Sequence, residues 1–155
     1  MEYERDLSSA KPVLRTLVAF ANAAGGRLVL GVEDGTRHVV GVTDPLALEE
    51  RIAILVADAV QPRLLPEIEI VPWRKTHVVV VTVYPSALRP HHVVAEGPER
   101  GKYVRLVSTS RVADAALTAE LARRTIPEGF DEEPLADLDS EAIDFAAASQ
   151  CFAER

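Results

Sequence analysis

A chain of 155 residues with 48% hydrophobic and 26% charged residues suits one globular domain with a short appendage, which excludes disordered and fibrous polymers. The single cysteine, Cys151, excludes an intramolecular disulfide and a cysteine-built metal cluster. The net charge of −7 sits in residues 126–155, with nine acids and one base, while residues 1–125 balance fifteen acids against sixteen bases, so charge alone makes no case for nucleic acid.

The opening "MEYERDLSS" is charged from its second residue, unlike a secretory leader, and no apolar run approaches a membrane span. A cytoplasmic location without a membrane partner is the expectation. In "AKPVLRTLVAFANAAGG", Ser8 and Ser9 are N-cap candidates and Pro12 falls in the first turn. Val13, Leu14, Leu17, Val18 and Ala21 recur at helical spacing and predict one buried stripe. Asn22 and the pair Gly25-Gly26 end the helix. "RLVLGVE" is mostly apolar and predicts an internal strand. Asp34-Gly35 in "EDGT" predicts a tight turn, with "HVVGV" as the returning strand.

"TDPLALEERIAILVADAV" predicts a helix capped by Asp44, with Pro45 first and Leu48, Ile52, Leu55, Val56 and Ala59 on one face. "QPRLLP" breaks it. "EIEIVPW" alternates as a half-buried strand does, and "THVVVVTVYP" predicts a buried one. "RPHHVVAE" and "KYVRLV" predict two strands joined by a turn at "GPERG", and "VADAALTAELARR" predicts another helix. From Ile126 acids dominate; residues 131–140 resemble a linker, and "SEAIDFAAASQCFAE" has the makings of a short helix. The order predicts a single compact α/β domain (α+β, given the hairpins) over residues 1–125. It has a mixed sheet and about three helices, followed by an acidic tail over 126–155.

Three stretches carry candidate chemistry. Glu33 and Asp34 at the hairpin tip are explained by turn chemistry alone. As metal-binding or base carboxylates they need a further acid, and Glu2 or Glu4 supplies it only if the first segment pairs beside this hairpin. In "LRPHHVV", Arg89 stands by His91 and His92; neighbouring strand residues point to opposite faces, so two adjacent histidines do not readily share a metal. In "YVRLVSTSR", Arg105, Ser108, Thr109, Ser110 and Arg111 precede a helix, where hydroxyls, amides and arginines suit a phosphate and equally suit a helix cap. "GGRLVLGVEDG" lacks the Lys-Ser/Thr of a P-loop and the spacing of a dinucleotide fingerprint. Trp73 and Tyr84 could stack on bases, although an aromatic in a strand more often packs.

Taken in order, "AFANAAGGRLVLGVEDG", "VVGV" and "RPHHVVAEGPERGKYVRLVSTSRVA" resemble the Schlafen-type AlbA-like domain of bacterial predicted transcriptional regulators. The likeness spans about the first 125 residues. It implies a compact α/β fold associated with DNA or RNA binding, commonly ahead of winged-helix domains. In animal relatives it implies three acids that serve metal-dependent cleavage of structured RNA. Position by position, the resemblance sets the family's first-segment acid on Glu2 and its turn acid on Asp34, with the third acid falling ahead of Met1. Glu4 stands where the family has a lysine. Val107 stands where it has a glycine, so a positive φ there would be strained.

The reading that follows is a nucleic-acid-binding module, a transcriptional regulator rather than an enzyme, needing no cofactor. Arg89, Lys102, Arg105, Ser108 and Arg111 would touch phosphates of DNA or RNA. One alternative is an endoribonuclease holding Mg²⁺ or Mn²⁺ through Glu2 and Asp34 as catalytic and metal residues. Another is an interaction or homo-oligomerisation scaffold whose acidic tail contacts a partner or masks a basic face.

Overall fold

The computed structural model describes residues 1–106 and 109–123. Val107, Ser108, Cys151 and the proposed tail lie outside that range.

Helix α1 spans Ala10–Ala21. Ser9 holds the N-cap position with extended backbone, but its side chain caps nothing. Val13, Leu14, Leu17 and Val18 are buried as the periodicity predicts, and the last turn, Ala19 to Ala21, is buried all round. Asn22 closes the helix, and the Gly25 amide donates to the Phe20 carbonyl at 3.0 Å. Gly25 has φ +80°, and a Cβ on it would stand 2.6 Å from the Val83 carbonyl oxygen, so conformation and space both demand glycine.

Strand β1 (Glu2–Glu4) runs parallel to β2 (Gly26–Leu30). Helix α2 (Pro45–Ala59) leads into the short β3 (Val60–Gln61), followed by β4 (Glu67–Trp73) and β5 (Thr76–Val83). The main sheet has the order β1-β2-β5-β4, and β5 is antiparallel to both of its neighbours. Alternation sends Leu28, Leu30, Val79, Val81 and Val83 into one core with Leu17, Phe20, Ile52 and Val56 of the helices. In α2 the Asp44 carboxylate accepts from the Ala47 amide at 3.0 Å, as a cap should. Of its predicted stripe, Ile52 and Val56 are fully buried, while Leu48, Leu55 and Ala59 pack half-buried at the core margin.

Four local expectations need correction. "HVVGV" does not form a strand: only Val32 and Val39 bridge. Gly31 and Gly41 take φ of +92° and +83°, and the amides of Val40 and Gly41 both turn to the Gly31 carbonyl, which ends the ladder. "RPHHVV" contributes β6 (His92–Val93), which pairs with β3. "GPERG" is helical: a 3-10 turn (Val94–Glu96) runs into α3 (Gly97–Arg100), with Pro98 in its first turn. Strand β7 (Tyr103–Leu106) therefore pairs forward with β8 (Thr109–Val112). Thr109, Ser110 and Arg111 consequently lie in a strand, and Asp114 caps α4 (Ala115–Arg123) by accepting from the Leu117 amide at 2.8 Å. Among the described residues that makes four helices, one of a single turn. No described helix is long and apolar enough to cross a membrane.

The seam between α1 and the later segments is polar. Buried Asn22 donates through Nδ2 to the carbonyls of His91 (2.9 Å) and Tyr103 (2.8 Å), and its Oδ1 accepts from the His91 amide at 2.7 Å. His91 is fully buried. Its Nδ1 lies 2.8 Å from the Pro62 carbonyl, which can only accept, so Nδ1 carries the proton and Nε2 accepts from the Ser86 hydroxyl at 2.6 Å. Desolvation holds the imidazole below its ordinary pKa, outweighing the Pro62 hydrogen bond.

Asn22→Ala should cost about 3 kcal/mol, because three buried backbone groups lose their partner; urea unfolding measures it. A histidine with a depressed folded pKa supports the fold fully only above its unfolded value. The urea midpoint should therefore decline as pH falls below about 6.5 and on through the depressed pKa of His91. His91→Gln should flatten that part of the profile.

Candidate nucleic-acid interface

Lys11 and Arg15 stand one turn apart on the flank of α1 away from the sheet core. The 3-10 turn brings Glu96 between them, and β7 starts with Tyr103 alongside. Arg15 donates through Nε and Nη2 to Glu96 Oε1 at 3.0 and 2.7 Å, and Lys11 Nζ lies 3.4 Å from the same oxygen. The Tyr103 hydroxyl donates to Glu96 Oε2 at 2.5 Å, and the Arg15 guanidinium lies 5.1 Å from the Tyr103 ring centre. Burial alone would raise the Glu96 pKa, but hydrogen bonds from Tyr103, Arg15 and Lys11 hold it below the ordinary carboxylate value. Burial, then the bond to Glu96, pushes the Tyr103 phenol up to about 12. Lys11, Arg15, Arg100, Glu96, Tyr103 and Val112 line a cleft of about 480 Å³.

Exposure decides which cations are available. The Glu96 side chain is 13% exposed, against 64% for Lys11 and 38% for Arg15. The acid is thus an internal anchor, and the bases keep their outer surfaces toward water. Three cations around one recessed carboxylate leave a net positive rim, which suits a phosphate.

The predicted contacts are dispersed by comparison. Arg105 pairs with Glu2 across β7 and β1, and its guanidinium lies 5.4 Å from the Phe20 ring centre. With its side chain 15% exposed, it holds the edge of the sheet to α1. Register puts Arg105 opposite Ser110 and Arg111 opposite Val104, so the two arginines leave the hairpin on opposite faces. Arg111 is exposed, and its side of the hairpin is the one where Val104 packs with Leu121 and Ala113 near α4. Lys102 is half-buried beside Glu99 and Asp114, and Arg89 is half-buried just before Pro90 and His91. Ser108 lies outside the described residues. The sequence reading missed Lys11, Arg15, Glu96 and Arg100. The available signal was the i, i+4 pair of bases on the polar side of α1.

The acids meet one stated condition: β1 does pair beside the hairpin, and the amides of Gly31 and Val32 donate to the Glu4 carbonyl. Glu4 is held above its ordinary pKa, first by burial and then by the like charges of Asp34, Asp6 and Glu2. The set still does not fit a divalent cation. Glu2 is already engaged by Arg105, and among the described residues no group of three acids, histidines or cysteines is placed to hold a metal.

Strand order, the AFAN-to-GG turn and this α1 flank accompany a family assignment. Residues 1–114 match the Schlafen, AlbA_2 family, and the chain belongs to it. Solved structures that share the fold include the N-terminal domain of a RecG-related protein from Nitrosomonas europaea, named after an ATP-dependent DNA helicase. It is 28% identical, with a TM-score of 0.55, covering 71% of this chain and 80% of that one. Another is the DIP2311 protein from Corynebacterium diphtheriae, 17% identical with a TM-score of 0.60. It covers 80% of this chain, which spans only 24% of that protein. No curated protein matches the chain.

Asp34→Asn removes one of the charges acting on Glu4. The Glu4 carboxyl pKa, followed by NMR titration, should move down toward its ordinary value; no change would separate the hairpin tip from β1.

Proposed function

We propose that this domain binds nucleic acid through its phosphates, with the α1 cleft as the principal contact, and that it serves a cytoplasmic regulator of transcription. The observation that carries this reading is the ring of Lys11, Arg15 and Arg100 around a recessed Glu96. A polyanion lying along the cleft would replace water at the outer faces of these cations without disturbing the Glu96–Tyr103 bond behind them. Membership in the Schlafen, AlbA_2 family and likeness to a domain of a helicase-related protein support an association with nucleic acid. Arg105, withdrawn and paired with Glu2, braces β7 behind the cleft, and Lys102 is a secondary position just before that strand. Arg89 and Arg111 are secondary positions, Arg111 standing on the face of the β7–β8 hairpin opposite Arg105.

The test is binding of labelled duplex DNA and structured RNA to the full chain across a salt series. Lys11→Ala and Arg100→Ala should each weaken both ligands. Each should also make the slope of log K against log salt shallower, by roughly 0.9 on duplex DNA for every phosphate left unneutralised. Arg111→Ala should have a smaller effect. Unchanged affinity and slope in the Lys11 and Arg100 variants would remove this interface.

A further inference from the structure

We propose that the sheet face turned away from α1 and α2 joins two copies of this chain, back to back, about a two-fold axis parallel to the strands. This inference uses a different surface from the α1 cleft and does not rest on the nucleic-acid reading.

The apolar patch at the centre of that face, Val29, Val32 and Val78, is already buried at 5–8% exposure and is flanked by the half-buried Tyr3, Val39 and Val80. Among the described residues the patch includes only residues of the sheet and of the 31–42 hairpin, and none from a helix. Val71 and Trp73 of β4 extend the same face and are exposed.

The charges on this face are ordered. Residues in register across neighbouring strands share a face, so the pairings define rows. One row runs Arg27, Thr82, Glu67 from β2 to β4. The next runs Tyr3, Val29, Val80, Glu69 from β1 to β4. Arg37 extends this second row at its β1 end, its guanidinium 6.0 Å from the Tyr3 ring centre. Both rows therefore have a base toward the β1–β2 side and an acid on β4. Arg27, Arg37, Glu67 and Glu69 are all exposed. Among the described residues none of them forms an ion pair within the chain, although Glu67 accepts from the Tyr84 hydroxyl at 2.7 Å.

This pattern is complementary to itself under one operation. A two-fold axis parallel to the strands keeps each row at its level and reverses it from side to side. With the axis between β2 and β5, β4 lies over β1 of the second copy, so Glu69 meets its Tyr3 and Arg37, Val80 lies over its Val29, and Glu67 reaches across one strand spacing of about 4.8 Å to its Arg27. A two-fold axis in the sheet plane but across the strands would lay β4 over β4, acid against acid. Isologous contacts of the favoured kind close at two copies, and face-to-face sheets stack at about 10 Å. Other occupants fit less well. Nucleic acid would meet Glu67 and Glu69, and the acidic 126–155 segment would meet the same repulsion.

Sedimentation velocity of the full chain over a wide concentration series tests this. The wild-type chain should form a dimer, more weakly as salt rises. The double variants Glu67→Arg with Glu69→Arg, and Arg27→Glu with Arg37→Glu, should each dimerise about tenfold or more weakly, since like charges then face each other. Mixed in equal amounts, they should restore a dimer close to wild type, because each supplies the charges that the other inverted. That rescue separates broken complementarity from misfolding. Lys11→Ala should leave the dimer unchanged. A wild-type chain that stays monomeric throughout would overturn the proposal, as would a mixture that associates no better than either variant alone.

Discussion

Asn22 makes three buried hydrogen bonds at the end of α1, two to the His91 backbone and one to the Tyr103 carbonyl. The residues it joins are 69 and 81 positions away in the chain. Their backbone groups have left water, so each needs a partner, and the amide of one side chain supplies donor and acceptor together. A carboxylate there could not donate, and an aliphatic residue would strand all three groups. The consequence is geometric. With Tyr103 held against α1, its ring lies under Arg15 and its hydroxyl reaches Glu96. Two residues further along β7, Arg105 comes within reach of Glu2.

The two arginines that result have different fates. Arg105 is mostly withdrawn from solvent and paired, and removing either partner would leave the other charge poorly hydrated. Arg15 is paired as well, but through an acid more deeply recessed than itself, and Lys11 and Arg100 beside it remain open. The same residue type thus serves as a structural tie at one end of β7 and as part of an accessible rim at the other. The acids near β1 divide similarly: Glu2 is paired with Arg105, whereas Glu4, part-buried and among like charges, is held above its ordinary pKa.

Local chemistry was legible in the sequence wherever one segment decided the outcome. Asp44-Pro45 capped α2 as expected, and the aliphatic runs of β2 and β5 became the two central strands. Where two segments competed, local signals failed. "HVVGV" has the composition of a strand, yet Gly31 and Gly41 adopt left-handed backbone and divert it. "KYVRLV" had two possible partners, and the helical turn at Gly97–Arg100 removed one of them. The α1 cleft was not legible because Arg15 and Glu96 are 81 residues apart and meet only through the Asn22 seam. Asn22 itself reads as a helix end, which it is, but nothing in "AFANAAGG" announces which carbonyls its side chain will hold.

The proposed function requires nucleic acid to contact this domain at the α1 flank. Its most direct test is NMR chemical-shift mapping of the full, isotope-labelled chain titrated with a short duplex. The largest perturbations should fall on Lys11, Arg15, Arg100 and Tyr103, with Val71 and Val80 on the opposite sheet face left still. Perturbations centred on Asp34 and the hairpin tip, or none at all, would contradict it.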